Sequence, residues 1–259
     1  TRSTESASRS ASLPDVRPRA PLATASAPAL WAVVPAAGGG ARMRAACPKQ
    51  YLPLLGRAML LHTLERLGRY PRLRGLAVGI AADDAYWPTL ATEIPNLLVT
   101  YVGGAERAQT VLNGLRALET YAAPDDWVLV HDAARPCVRH ADIDSLLAAV
   151  AGHADGGLLA LPLSDTVKRA DHNGCIEETV PRTGLWRALT PQVFRFVALR
   201  DALESAMRAG VEITDEASAM EYSGARPRLV HGHADNIKIT LPEDLALAEL
   251  FLREQEREL

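Results

Sequence analysis

The stretch Trp31-Ala32-Val33-Val34-Pro35-Ala36-Ala37-Gly38-Gly39-Gly40-Ala41-Arg42-Met43-Arg44, continuing to Cys47-Pro48-Lys49-Gln50-Tyr51, decides the fold class. A short apolar run ended by proline reads as a buried strand, and it opens directly into small residues and three consecutive glycines. Without Cβ atoms such a backbone reaches positive φ and brings its N–H groups against an anion. Arg42 and Lys49 stand close enough along the chain to converge on one polyphosphate, the first as a planar fork, the second as a movable point charge. Two other phosphate loops fail on spelling. The dinucleotide fingerprint requires glycine where Met43 stands, and the P-loop requires Gly-Lys-Ser/Thr where Pro48-Lys49-Gln50 occurs. An ordinary structural loop remains the alternative to phosphate binding.

Outward from this turn, strand and helix signals alternate. Leucines at helical spacing over residues 57–70 and again over 106–121 predict amphipathic helices, with others near 143–150, across 197–208, from Asp215 and from Pro242. Apolar runs at 76–80, 98–102, 127–130, 158–163, 228–231 and 237–240 predict strands. Strands apolar throughout, alternating with helices, imply an α/β protein whose mostly parallel sheet is covered on both faces. The rhythm breaks at residues 164–187. There two β-rich segments flank Asp171-His172-Asn173-Gly174, and Asn-Gly between such segments predicts a hairpin. A two-stranded ribbon is marginal alone in water, so this arm needs a surface to lie against, and a second protomer is the economical candidate.

Composition narrows the class. With 259 residues, 48% hydrophobic and 23% charged, the chain is an ordinary globular one, neither disordered as a whole nor fibrous. Twenty-eight basic residues against 31 acidic ones give a net charge of −3, which excludes a general nucleic-acid or membrane-surface binder. No apolar run approaches the ~18–20 residues of a membrane span. Cys47, Cys137 and Cys175 are odd in number and widely spaced, which suits a reducing compartment. Residues 1–30 differ from the rest. Rich in Ser, Ala, Pro and Arg, with only Glu5 and Asp15 acidic, they read as a disordered extension ahead of one domain at 31–259. An organelle transit peptide is a sharper alternative for that segment.

Asp132 follows directly on the apolar run at 127–130, so it falls at the carboxyl end of a central strand, where open α/β sheets bind ligands. A carboxylate there can orient a hydroxyl or help position triphosphate-bound Mg2+; it also suits a helix N-cap. His131 reads as a packed neighbour. Arg135 could reach an anionic substrate or form a surface salt bridge. Lys238, flanked by Ile237 and Ile239, reads as a solvated residue on a strand.

Together the segments Pro35-Ala36-Ala37-Gly38 through Arg42-Met43, Pro48-Lys49-Gln50-Tyr51, Gly104-x-Glu106-Arg107-x-x-Thr110-Val111, His131-Asp132-Ala133-Ala134-Arg135-Pro136, Asp165-Thr166-Val167-Lys168, Leu189-Thr190-Pro191-Gln192, Thr214-Asp215-Glu216-Ala217-Ser218 and Asp235-Asn236-Ile237-Lys238 resemble the 2-C-methyl-D-erythritol 4-phosphate cytidylyltransferase family of nucleotidyltransferases. They occur in family order over roughly residues 31–252. The resemblance implies a Rossmann-like three-layer fold with a β-arm, about 164–187, that embraces a second subunit in a homodimer. It implies transfer of CMP from CTP to methylerythritol phosphate in non-mevalonate isoprenoid synthesis. Arg42, Lys49 and Lys238 are the implied catalytic cations. Asp132, Arg135, Thr166, Arg182, Thr190 and Thr214 are the implied acceptor contacts; Pro35, Ala36, Ala37, Gly38, Gly104, Thr110 and Ala133 are the implied nucleotide contacts.

Mg2+ is implied through the CTP phosphates, with Asp132 close by and no dedicated metal ligands. A bacterial cytoplasmic location follows, or the plastid stroma if residues 1–30 are a transit peptide. Two positions depart from the family pattern: Ala41, where relatives commonly carry a further basic residue, and Ala105, where they can present an acid to cytidine. Base recognition then leans on backbone groups of the 36–38 and Gly104 segments and on Thr110. A relative acting on ribitol phosphate or a sugar phosphate, or an inactive nucleotide-binding module, would share the same glycine turn.

Overall fold

The computed structural model describes residues 27–38 and 47–257. Most of the expected extension, together with Arg42 and the glycines at 39 and 40, lies outside the described residues. The first strand, β1 (Leu30–Pro35), starts one residue inside the range assigned to that extension, and Leu30 is buried.

The chain then runs through β2 (Pro53–Leu54), β3 (Arg57–Ala58), α1 (Met59–Gly68), β4 (Leu73–Ile80), α2 (Trp87–Leu90), β5 (Leu97–Val102), α3 (Arg107–Leu118), β6 (Trp127–Val130) and α4 (His140–Val150). Its second half contains β7 (Gly157–Pro162), β8 (Val167–Ala170), β9 (Ile176–Val180), β10 (Trp186–Arg195), α5 (Phe196–Arg208), α6 (Glu216–Tyr222), β11 (Arg228–His231) and α7 (Glu243–Arg257). Seven strands form one sheet in the order β11-β7-β10-β6-β1-β4-β5. Every pairing is parallel except the two made by β10, which runs antiparallel to both β6 and β7.

The alternation along β1 shows why both faces must be covered. Leu30, Ala32 and Val34 join a cluster with Leu60, Leu64 and Leu67 of α1 and Ile143 and Leu146 of α4. Trp31 and Val33, pointing the other way, pack with Val111 and Leu115 of α3 and Leu199 and Leu203 of α5. A three-layer α/β sandwich results. A smaller third cluster seats α7, through Ala248 and Leu252, on Leu54, Met59 and Ile239.

Two expectations from sequence need correction. Residues 237–240 are not a strand: they form a loop whose Ile239 amide donates to the Ala134 carbonyl at 2.8 Å, and the two isoleucines turn toward the α7 cluster. Conversely β10, a central strand, was not anticipated. Its middle is Thr190-Pro191-Gln192, and the ladder to β7 skips register between Ala188 and Gln192, where the proline has no N–H to donate.

The arm is present as β8 and β9, a separate two-stranded sheet. Its turn is closed by the Asp171 carboxylate, which accepts from the Asn173 and Cys175 amides at 2.8 and 2.9 Å, and Gly174 takes φ +80°. Nearly every residue of the arm is exposed, and Ile176 retains 67% of its surface.

Candidate active site

The carboxyl ends of β1, β5 and β6 open on a cavity of about 490 Å³, a size suited to a small-molecule ligand. One wall is the segment after β1. Its Ala36 amide donates to the Gly79 carbonyl at 2.7 Å, and its Ala36 carbonyl accepts from Gln50 Nε2 at 2.8 Å, so the glycine turn starts from a pinned residue. The opposite wall is the turn into α3. There the Gly104 amide donates to Thr110 Oγ1 at 3.0 Å, and Thr110 in turn donates to the Glu106 carbonyl. The walls touch at one point: a Cβ on Gly103 would stand 2.3 Å from that of Ala37, so only glycine permits the approach. Pro35, Ala36, Ala37, Gly38, Gly104, Thr110 and Ala133 all line this cavity, as do Lys49, Asp132 and Lys238.

Lys49 and Lys238, far apart in sequence, converge. Lys49 begins the short 3-10 turn Lys49–Tyr51 and donates from Nζ to the Ile239 carbonyl at 3.3 Å, one residue from Lys238. Lys238 Nζ lies 3.0 Å from Asp132 Oδ2 and keeps 39% of its side chain exposed at the cavity. Asp132 is the hub of this edge. Its Oδ1 accepts from Arg107 Nε at 2.9 Å, and Arg135 Nε stands 3.5 Å from Oδ2. Burial alone would raise this carboxyl; Arg107, Lys238 and Arg135 outweigh burial and hold it well below the ordinary carboxylate range. Asp132 is therefore a fixed negative charge with three cations around it.

Behind the hub lies a frame of buried hydrogen bonds. The Asp132 amide donates to Thr190 Oγ1 at 3.0 Å, and the same hydroxyl lies 3.0 Å from His131 Nδ1. His131 Nε2 is 3.0 Å from the Arg135 carbonyl, which can only accept, so the Nε2–H tautomer satisfies both contacts. Fully buried, the imidazole is pushed down to about 4 and stays neutral. Arg135 donates to the Asn236 carbonyl at 2.7 Å, and Asn236 Nδ2 donates to the Thr190 carbonyl at 2.8 Å. Arg135 and Thr190 are thus buried supports and do not line the cavity.

Thr166, Arg182 and Thr214 fall elsewhere. All three are exposed, and none lines the cavity of this single chain. Thr166 precedes β8, and Arg182, just after β9, donates to the Ser164 carbonyl. Four residues that sequence alone did not single out belong to the site or its frame: Gln50, Arg107, Gln192 and Glu216. Arg107 and Glu216 stand inside segments already quoted as family-like, but nothing in their local spelling shows that both would be buried charges. Burial works against the Arg107 charge, yet Glu216 and Asp132 outweigh it and keep the guanidinium above its ordinary value.

Comparison with known proteins gives the family. The family model described as 2-C-methyl-D-erythritol 4-phosphate cytidylyltransferase matches residues 30–254. A Pseudomonas aeruginosa protein of that name is 55% identical over 225 residues, 86% of this chain and 96% of its own. Among solved structures, a 4-diphosphocytidyl-2C-methyl-D-erythritol synthase superposes with a TM-score of 0.77 at 38% identity, covering 87% of this chain and 99% of that one. The Francisella tularensis 2-C-methyl-D-erythritol 4-phosphate cytidylyltransferase superposes with a TM-score of 0.74 at 33% identity, over 86% and 99%. By sequence and by fold, this chain belongs to the 2-C-methyl-D-erythritol 4-phosphate cytidylyltransferase family.

Proposed function

We propose that the chain transfers CMP from CTP to 2-C-methyl-D-erythritol 4-phosphate, giving 4-diphosphocytidyl-2-C-methyl-D-erythritol and pyrophosphate for isoprenoid precursor synthesis. Family membership and one observation carry this: Lys49 and Lys238 come together at the edge of the cavity that the Pro35–Gly38 backbone lines. The acceptor phosphate has a second pKa of ~6, so near neutral pH it is mostly a dianion and already nucleophilic. Its oxygen attacks the α-phosphorus in line, and the bond to the β-phosphate oxygen breaks to release pyrophosphate. No general base is required. The barrier is repulsion between anions, and the remedy is positive charge already in place.

Lys238 faces the α-phosphate, Lys49 neutralises the triphosphate, and Arg42 is assigned there from sequence. The nucleotide lies against the Pro35–Gly38 backbone on one side and against Gly104 and Thr110 on the other, with Ala133 beside the sugar. Asp132 orients the acceptor, with Arg135 and Thr190 fixing it from behind.

Among the described residues no three His, Cys, Asp or Glu side chains converge on a metal site, and both Asp132 oxygens already face cations. That donor set fits an Mg2+ ion that would arrive with the nucleotide and would supply charge neutralisation there. Thr166, Arg182 and Thr214 take the acceptor phosphate, with the exposed arm reaching the cavity of a second copy in a homodimer. The bacterial relatives and the three free thiols favour a cytoplasmic setting. Pyrophosphate release from CTP, UTP and ATP, each with methylerythritol phosphate or ribitol phosphate and Mg2+, tests the assignment. Turnover confined to CTP with methylerythritol phosphate is expected; faster turnover with ribitol phosphate overturns the acceptor assignment.

A further inference from the structure

Arg107 and Glu216 open different helices and are 109 positions apart, yet they form a two-pronged pair: Nη1 to Oε1 at 2.6 Å and Nη2 to Oε2 at 3.1 Å. The third nitrogen, Nε, is spent on Asp132 Oδ1 at 2.9 Å. All three guanidinium nitrogens are thus directed at two carboxylates. Glu216 is only 1% exposed, and a buried ion pair of this kind is weak evidence for stability, because desolvation offsets its Coulomb gain. What a planar fork does supply is direction.

Glu216 is itself held in place. Gln192 accepts from the Ala217 amide at 2.8 Å and donates to Asp215 Oδ2 at 2.9 Å, while Asp215 caps α6 through Ser218. The frame therefore runs from β10 through the start of α6 to Arg107, and from Arg107 to one oxygen of Asp132. The other oxygen of that carboxylate meets Lys238. Turning the carboxylate plane would move the point at which the ammonium is held.

We propose that Arg107, anchored by Glu216, is a positioning residue: it sets the plane of the Asp132 carboxylate and, through it, the place of the Lys238 ammonium at the cavity. The proposal rests on the cytidylyltransferase reading for its kinetic consequence, but not for its geometry. A mere cross-link between α3 and α6 would affect stability and leave the acceptor step alone.

The test uses the full chain as R107K, which keeps the charge but loses the fork, with E216Q, D132N and the double variant R107K/D132N. Expected is a loss of about tenfold or more in kcat/KM for methylerythritol phosphate in R107K and E216Q, with KM for CTP within about threefold of wild type. In the D132N background R107K should cost less than about threefold further, because the group it acts through is already altered. Losses that multiply in the double variant, or wild-type kinetics in both single variants, overturn the proposal. If E216Q does not fold, R107K alone decides. A crystal structure of R107K gives a readout free of activity: the Asp132–Lys238 contact should open, and its retention at 3.0 Å overturns the proposal. Wild-type protein inactive on CTP and methylerythritol phosphate would instead refute the assigned reaction, while the crystal structure still decides the positioning role.

Discussion

The cavity edge and the arm are built on opposite terms. At the cavity, Asp132 is almost wholly buried, three cations surround it, and its own amide is tied to Thr190. Each side chain there has its direction fixed by another. On the arm, among the described residues, Arg182 has a single carbonyl acceptor, its neighbours are exposed, and the ribbon pairs with no strand outside itself. The charges at the cavity are held in place within one chain, whereas those of the arm lie open to solvent.

The sharpest way to break this contrast is at the two lysines. On the proposed mechanism, in which preplaced charge is the main catalytic device, Lys49→Ala and Lys238→Ala should each lower kcat by about 10²–10³ with unchanged circular dichroism. Steady-state kinetics at saturating CTP gives the answer directly.

His131 probes how rigid the buried side is. With an ordinary pKa of about 6.5 and a folded value of about 4, it is neutral in the folded chain while the unfolded chain takes up a proton. Its contribution to stability is complete above about pH 6.5 and is lost as pH falls toward 4, for a total of about 3 kcal/mol. Urea midpoints between pH 7 and 4 should decline accordingly, and His131→Gln should flatten that decline. Asp132, held low by its cations, contributes its own loss only below this window.

The arm should respond differently. Arg182→Ala is expected to raise KM for methylerythritol phosphate about tenfold while leaving KM for CTP and the thermal midpoint unchanged. Mixing it with Lys238→Ala protein should restore part of the activity if the arm serves a neighbour's cavity. Smallest is Gly103→Ala, whose methyl would press on Ala37 and part the two walls, raising KM for CTP about fivefold if only the ~1 kcal/mol lower end of the cost of overpacking falls on binding.

What the sequence made legible follows the same division. β1 and the amphipathic helices were readable because burial on both faces leaves a plain apolar pattern, and the hairpin because Asn173-Gly174 marks its turn. All ten residues read there as nucleotide contacts, catalytic lysines or the acidic acceptor contact at the β6 end line one cavity. β10 was hidden because the buried polar residues at its centre, Thr190 and Gln192, serve hydrogen bonds to other segments instead of an apolar core. The alternating isoleucines around Lys238 imitated a strand because they pack on α7, not on a sheet. The Arg107–Glu216 pair could not be read at all: a buried charge is recognisable only when its partner, 109 residues away, is in place.

The most direct test of the whole account follows phosphorus-31 resonances of CTP, Mg2+ and methylerythritol phosphate with wild-type and Lys238→Ala protein. The account predicts loss of both substrates with pyrophosphate and a new diphosphate diester appearing in equal amounts, and a rate at least about a hundredfold lower in the variant. Pyrophosphate without the diester, or a variant within about threefold of wild type, would contradict it.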